Sequence, residues 1–297
     1  EILRCLVGSE MCIRDSHSLW IGTGEKQVFY SASYHANESI TTPVLLTFVE
    51  EYAAAYAAGG NIVFSSAVRE EHSGQTGMGQ ESVDARTLFD EYRLCMVPLV
   101  NPDGVDLVNG LLNSGIYYRR ARQIADDYPA IPFPDGWKAN IDGVDLNLQF
   151  PAGWEMAKQI KFSQGYDKPA PRDFVGEAPL TAPESVAVYE LTKENDFLLI
   201  LAYHTQGEVI YWKYLDYEPA RSKEIADYFA SVSGYAVEET PSASGYAGYK
   251  DWFIEEYDRP GYTVEAGMGE NPLPMTQVER IYHDNKGILV GGMTQLR

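Results

Sequence analysis

Four short apolar runs, each stopping abruptly on a polar residue or a turn, constrain this chain more than any other feature. Gln27–Tyr34 leads into His35, Arg93–Val100 into the turn Asn101-Pro102-Asp103-Gly104, Phe197–Tyr203 into His204, and Tyr262–Val264 into Glu265. Runs of this length and composition, bounded by turn residues, read as strands buried on both faces. Between them lie helix patterns: Thr42–Ala58, with Pro43 in its first turn and Gly59-Gly60 as its stop; Ala182–Asn195, with Pro183 near its start; Arg221–Val232; and a C-terminal helix beginning over Gln277–Asp284. Strands alternating with helices predict an α/β fold with a mixed, largely parallel central sheet and helices on both faces. The stretch Asn109–Pro179, rich in Gly, Pro, Asp and aromatics, carries little period and reads as surface loops.

In α/β sheets ligands bind beyond the carboxyl ends of the strands, where His35, His204 and Glu265 fall. One strand-end histidine is commonly a hydrogen-bonded structural residue; three groups of this kind are a constellation. His35 and Glu38 form His-x-x-Glu in the loop leaving a strand, and His204 completes a His₂Glu set, the three-ligand arrangement of open catalytic zinc sites. A carboxylate separate from the ligands is still needed to move the proton of an attacking water, and Glu265 is the candidate. Cys5, Cys12 and Cys95 fit neither a disulfide framework nor a cysteine-type zinc site, so the metal must be held by His, Asp or Glu. His72, in a Glu-Glu-His-Ser-Gly loop, is expected to be dispensable.

The formal charge of −20 repels nucleic acid and anionic membrane surfaces, and no apolar run is long enough to span a bilayer. Residues 1–16 (EILRCLVGSEMCIRDS) have neither helical nor strand period, do not lead sensibly into residue 17 onward, and resemble translated adapter sequence, which leaves residues 17–297 as one catalytic domain. The compartment stays open, a bacterial cytoplasm being the favoured setting.

SYHANESITTP, NPDGVDLV, GVDLN, AYHTQG and YTVEAG stand in the order and approximate spacing of the zinc metallocarboxypeptidases, and from Leu19 onward the chain resembles that family. The resemblance implies one zinc per chain on His35, Glu38 and His204, with Glu265 as general base. It implies that Asp145 orients the first ligand histidine, against the alternative of a turn aspartate. Lys138, after Trp137, stands where the family has an oxyanion-stabilising arginine; a solvated loop lysine is the other reading, with Arg119, Arg120 and Arg122 as rivals for the role.

Two departures matter. Conventional carboxypeptidases follow the orienting aspartate with an Asn-Arg pair that grips the terminal carboxylate; here Asn147 is followed by Leu148, so the bidentate clamp is missing. The family's mobile tyrosine, counted back from Asp251-Trp252, falls on Ala243, leaving Tyr246 and Tyr249 nearby and Tyr246 as a substrate-binding candidate. Lys250, at the specificity-pocket position, is expected either to meet a substrate carboxylate or to be an exposed loop lysine. Together with DLNLQFPAGWE and YTVEAGMGENPLP, these departures resemble the branch that hydrolyses γ-D-glutamyl–meso-diaminopimelate bonds in peptidoglycan stem peptides. A peptide or peptidoglycan fragment is then the expected partner. A conventional carboxypeptidase and an inactive binding module of the same fold remain the alternatives.

Overall fold

The computed structural model describes residues 4–5, 15–69, 76–242 and 244–296; His72 and Ala243 lie outside them. In chain order the strands are β1 (Arg4–Cys5), β2 (His17–Ile21), β3 (Lys26–Ala32), β4 (Asn61–Arg69), β5 (Thr76–Asp84), β6 (Tyr92–Val97), β7 (Phe197–His204), β8 (Val209–Tyr211), β9 (Ala236–Glu238) and β10 (Gly261–Glu265). The helices are α1 (Thr41–Ala58), α2 (Ala85–Glu91), α3 (Pro102–Val108), α4 (Gly115–Asp126), α5 (Trp154–Ser163), α6 (Pro183–Lys193), α7 (Ser222–Ser233), α8 (Tyr249–Tyr257) and α9 (Val278–Thr294).

Eight strands form one sheet in the order β1-β2-β6-β3-β7-β10-β8-β9, while β4 and β5 pair separately as an antiparallel ribbon. The four apolar runs are its centre: β6, β3, β7 and β10 lie side by side and parallel. β2 and β8 join antiparallel on either side, so the sheet is mixed and largely parallel. Period-two alternation sends successive side chains to opposite faces. Val28, Tyr30, Leu199, Leu201 and Tyr203 pack with Phe48 of α1, Phe229 of α7 and Leu289 of α9. Phe29, Ile200 and Ala202 pack with Val188 of α6 and Trp252 and Phe253 of α8. Helices therefore cover both faces, and the strands' carboxyl ends open together at one edge.

The stretch Asn109–Pro179 is not all loop, because it contains α4 and α5. α4 buries only Ala121 and Ala125 completely, so small residues carry its inner face. Ser16, the last residue of the segment read as foreign, is buried and donates its hydroxyl to Val100 O at 2.9 Å. Among the described residues no helix is long and apolar enough to cross a membrane.

Candidate active site

β3 ends at Ala32, and the chain turns through Ser33 and Tyr34 to present His35 before the short helical turn Ala36–Glu38. Ser33 takes a left-handed backbone (φ 54°), and its N–H donates to Thr41 Oγ1 at 3.1 Å, tying the turn to the start of α1. That turn faces Glu38 back toward His35. His204 closes β7, and Glu265 pairs with it in register at the end of β10.

His35, Glu38 and His204 offer ligand atoms that all lie within 4.8 Å of one another. Glu38 Oε1 is 2.9 Å from His35 Nδ1, Oε2 is 2.9 Å from His204 Nδ1, and the two Nδ1 atoms are 3.2 Å apart. Asp145 Oδ1 lies 3.1 Å from His35 Nε2, which fixes the proton on Nε2 and leaves the Nδ1 lone pair pointing inward. His204 Nε2 is buried without a hydrogen-bond partner among the described residues, so its Nδ1 is the atom committed to the cluster. Two imidazole lone pairs and a carboxylate converging at such distances repel one another unless a cation sits among them. The donor set therefore fits a metal ion, and two His nitrogens with one carboxylate oxygen suit zinc.

The carboxylates around the cluster set up a field that favours positive charge there, whether a proton on His35 or a metal ion in its place. Burial would lower the His35 pKa, but the Glu38 and Asp145 carboxylates outweigh it and bring it to about 9. Burial pushes His204 down and keeps it neutral. Burial would raise Glu38, yet His35 and Lys138 hold it well below the usual carboxylate range. Asp145 is likewise depressed, burial being outweighed by His35. Glu265 behaves oppositely: burial first, then the neighbouring Glu38 carboxylate, raise it to about 8. Its carboxylate accepts no hydrogen bond from a described residue and lines the cavity beside the cluster.

That cavity, of about 700 Å³, also takes in Lys138, Asp145, Asn147, Leu148, Lys161, Arg172, Asp173, Thr240, Lys250, Asp251 and Asn271. Lys138 Nζ is 2.9 Å from Glu38 Oε1, not solvated in a loop. Its rivals do not line the cavity: Arg120 is paired with Asp142 at the surface and Arg122 with Asp126, and Arg119 is exposed. Asp145 is no simple turn residue. Its Oδ1 also accepts from Asn147 N and its Oδ2 from Asp173 N. Asn147 lines the cavity, its Oδ1 accepts from Tyr249 N at 3.0 Å, and its Nδ2 has no partner among the described residues.

Lys250 lines the cavity with its ammonium engaged by the protein, whereas Tyr246 stands outside the lining. Lys250 is not in a loop: it sits in the first turn of α8 and is 3% exposed. Its ammonium donates to Lys213 O (2.7 Å) and Thr240 Oγ1 (3.1 Å) and forms an ion pair with Asp251 Oδ1 at 2.6 Å. Tyr246 does not line the cavity; it packs against the cluster of Leu148, Trp154, Ala157 and Val175. Sequence reasoning missed Arg172, Asp173 and Asn271, which lie in aperiodic segments and reach the cavity only through long-range contacts. Asn271 exchanges two hydrogen bonds with Thr205, just after His204.

Residues 14–287 match the zinc carboxypeptidase family, peptidase M14. The chain belongs to the zinc carboxypeptidase family. It is 42% identical over 289 residues to gamma-D-glutamyl-L-diamino acid endopeptidase 1 of Lysinibacillus sphaericus, which covers 97% of this chain and 66% of that protein. It is 42% identical over 265 residues to the uncharacterized protein YqgT of Bacillus subtilis (strain 168), covering 89% of this chain and 64% of that one. The chain thus spans just under two thirds of the length of these curated relatives. Among solved structures, carboxypeptidase A from Helicoverpa armigera superposes with a TM-score of 0.67 at 19% identity, over 98% of this chain and 67% of that one. Murein-tripeptide amidase MpaA from Escherichia coli O157 superposes with a TM-score of 0.58 at 14% identity, over 97% and 91%. These two share the family's fold, and with the family match and the His₂Glu cluster the metal of this site is zinc.

Proposed function

We propose that this chain is a zinc-dependent peptidase that hydrolyses the γ-D-glutamyl–diamino acid bond of peptidoglycan stem peptides, with meso-diaminopimelate as the diamino acid. The observation that carries the reading is the 42% identity to a relative named for that bond. Leu148, a cavity-lining residue at the clamp position of conventional carboxypeptidases, supports it over ordinary C-terminal trimming.

His35, Glu38 and His204 would hold the zinc, which supplies a Lewis acid that polarises the scissile carbonyl and acidifies water. Asp145 keeps the His35 proton on Nε2 so that Nδ1 stays a donor to the metal. Glu265 takes a proton from the attacking water on its carboxylate and returns it to the departing diamino acid nitrogen. Burial raises Glu265 above the ordinary carboxylate range, and the positive charge of a bound metal would offset the contribution of Glu38, leaving a carboxylate able to accept and return the proton. The Lys138 ammonium, beside Glu38, faces the negative charge that develops on the carbonyl oxygen. Asn147 offers its Nδ2 to the substrate backbone.

The test pairs the wild type with Glu265→Gln on γ-D-glutamyl-meso-diaminopimelate. Wild type should release diaminopimelate, whereas Glu265→Gln should keep about one zinc per chain and lose activity by about 10² or more. Release of zinc by Glu265→Gln would make Glu265 a ligand and overturn the assignment.

A further inference from the structure

The missing clamp leaves a question of charge: with Leu148 in place of an arginine, some other group must meet the carboxylates that a diamino acid carries. Among the described residues four lysine or arginine side chains line the cavity: Lys138, Lys161, Arg172 and Lys250. Three of them are already engaged. Lys138 is held by Glu38, Lys161 by Asp173 Oδ1, and Lys250 by Asp251, Thr240 and a backbone carbonyl. Arg172 is different, because only its Nε is used, donating to Asp173 Oδ2 at 2.6 Å. Its Nη1 and Nη2 make no hydrogen bond to a described residue, and its side chain is 41% exposed on the cavity wall.

The arginine is also held in place. Pro171 O accepts from both Lys138 N (2.7 Å) and Ala139 N (2.9 Å), which fixes the preceding residue against the segment carrying Lys138. On the other side Asp173 N donates to Asp145 Oδ2 at 3.1 Å, so the Arg172-Asp173 pair is bolted to the carboxylate that orients His35. Leu148 packs on Trp154, Ala157 and Val175, and Lys161, one turn beyond Ala157 on α5, is the second cation on Asp173. The Leu148 wall and the Arg172–Asp173–Lys161 cluster are therefore contiguous. Two cations sharing one carboxylate leave a net positive charge, and the free edge of a planar guanidinium presents two parallel donors of the kind that grip a carboxylate bidentately.

We propose that Arg172, braced by Asp173 and Lys161, is the anchor for a carboxylate of the leaving diamino acid, in the place of the arginine that Leu148 has replaced. The proposal rests on the peptidase reading above for its substrate, but its test is a binding measurement that needs no turnover.

Zinc-loaded Glu265→Gln protein, with and without Arg172→Gln, is titrated calorimetrically with γ-D-glutamyl-meso-diaminopimelate. A second ligand has both diaminopimelate carboxylates converted to carboxamides and the glutamyl carboxylate left free. Losing a charge-assisted contact should weaken binding of the acid about 10-fold or more, with the diamide little changed. Arg172→Lys, which keeps the charge without the fork, should fall between, and it carries the test should Arg172→Gln fail to fold. Zinc content and thermal midpoint are measured on each protein. Equal losses on acid and diamide, no loss on either, or failure of the acid to bind the protein that retains Arg172 would each overturn the anchor. Failure of the wild type to cleave the acid that it binds would instead overturn the peptidase reading and leave the anchor standing.

Discussion

Glu184→Gln is predicted to remove a pH dependence of stability that is built into the support of the active site. Glu184 lies in the first turn of α6, is 3% exposed, and accepts one hydrogen bond from Asn140 Nδ2 at 3.1 Å. Asn140 Oδ1 in turn receives Asp142 N and Val144 N, shaping the turn that delivers Asp145 to His35. Burial, with the Asp103 and Asp142 charges nearby, raises the Glu184 pKa from 4.5 to about 7. A folded-state pKa above the unfolded one means stability that is complete below pH 4.5 and lost as the pH climbs through about 7. A displacement of that size corresponds to about 3 kcal/mol. Glutamine keeps an acceptor for Asn140 and has no charge to bury. The variant should therefore exceed the wild type by no more than about 1 kcal/mol near pH 5 and by about 3 kcal/mol, or about 5 °C or more in midpoint, at pH 8. Urea unfolding of both proteins at the two pH values isolates Glu184 and the charges coupled to it, because titrations that do not interact with it cancel in the difference. A difference that is the same at pH 5 and pH 8 would refute the reasoning.

Asp145→Asn should weaken zinc binding about 10- to 100-fold, read by competition with a chromogenic chelator, because the proton on His35 Nε2 loses its anionic partner. Lys138→Ala should lower kcat about 10²- to 10³-fold with little change in KM, if its cation acts on charge that exists only in the transition state. Lys250→Met should cost about 3–5 kcal/mol in chemical denaturation, because it strands the buried Asp251 carboxylate. In the zinc-loaded folded fraction of that variant, losses on the diaminopimelate acid and its diamide should be equal.

The centre of this fold is legible from the residues because β3, β6, β7 and β10 are short, predominantly apolar runs, and buried parallel strands need that composition. Their ends are legible for the same reason: a histidine or glutamate halting such a run is out of place in a core, which singles out His35, His204 and Glu265. The helices inside Asn109–Pro179 escape notice because α4 turns alanines inward and leaves Ile116 69% exposed, so its apolar residues do not trace the buried face. α8 escapes because Tyr249–Ile254 is buried all round, giving no stripe to detect. That also explains why the exposed-loop reading of Lys250 fails: nothing local reveals that Lys213 O and Thr240 Oγ1 will receive its ammonium. Arg172 is hidden in the same way, since its neighbours Lys161 and Asp145 come from α5 and from the GVDLN turn.

The most direct test of the account is where water enters a stem peptide. Zinc-loaded wild type is incubated in H₂¹⁸O with a stem peptide in which γ-D-glutamate is followed by meso-diaminopimelate and a terminal alanine, and the products are resolved by mass spectrometry. Cleavage at the γ-D-glutamyl bond places one ¹⁸O on the glutamyl γ-carboxyl and releases unlabelled diaminopimelyl-alanine, which is the predicted result. Release of free alanine, with the label on the diaminopimelyl carboxyl, would contradict it and make this chain a conventional carboxypeptidase.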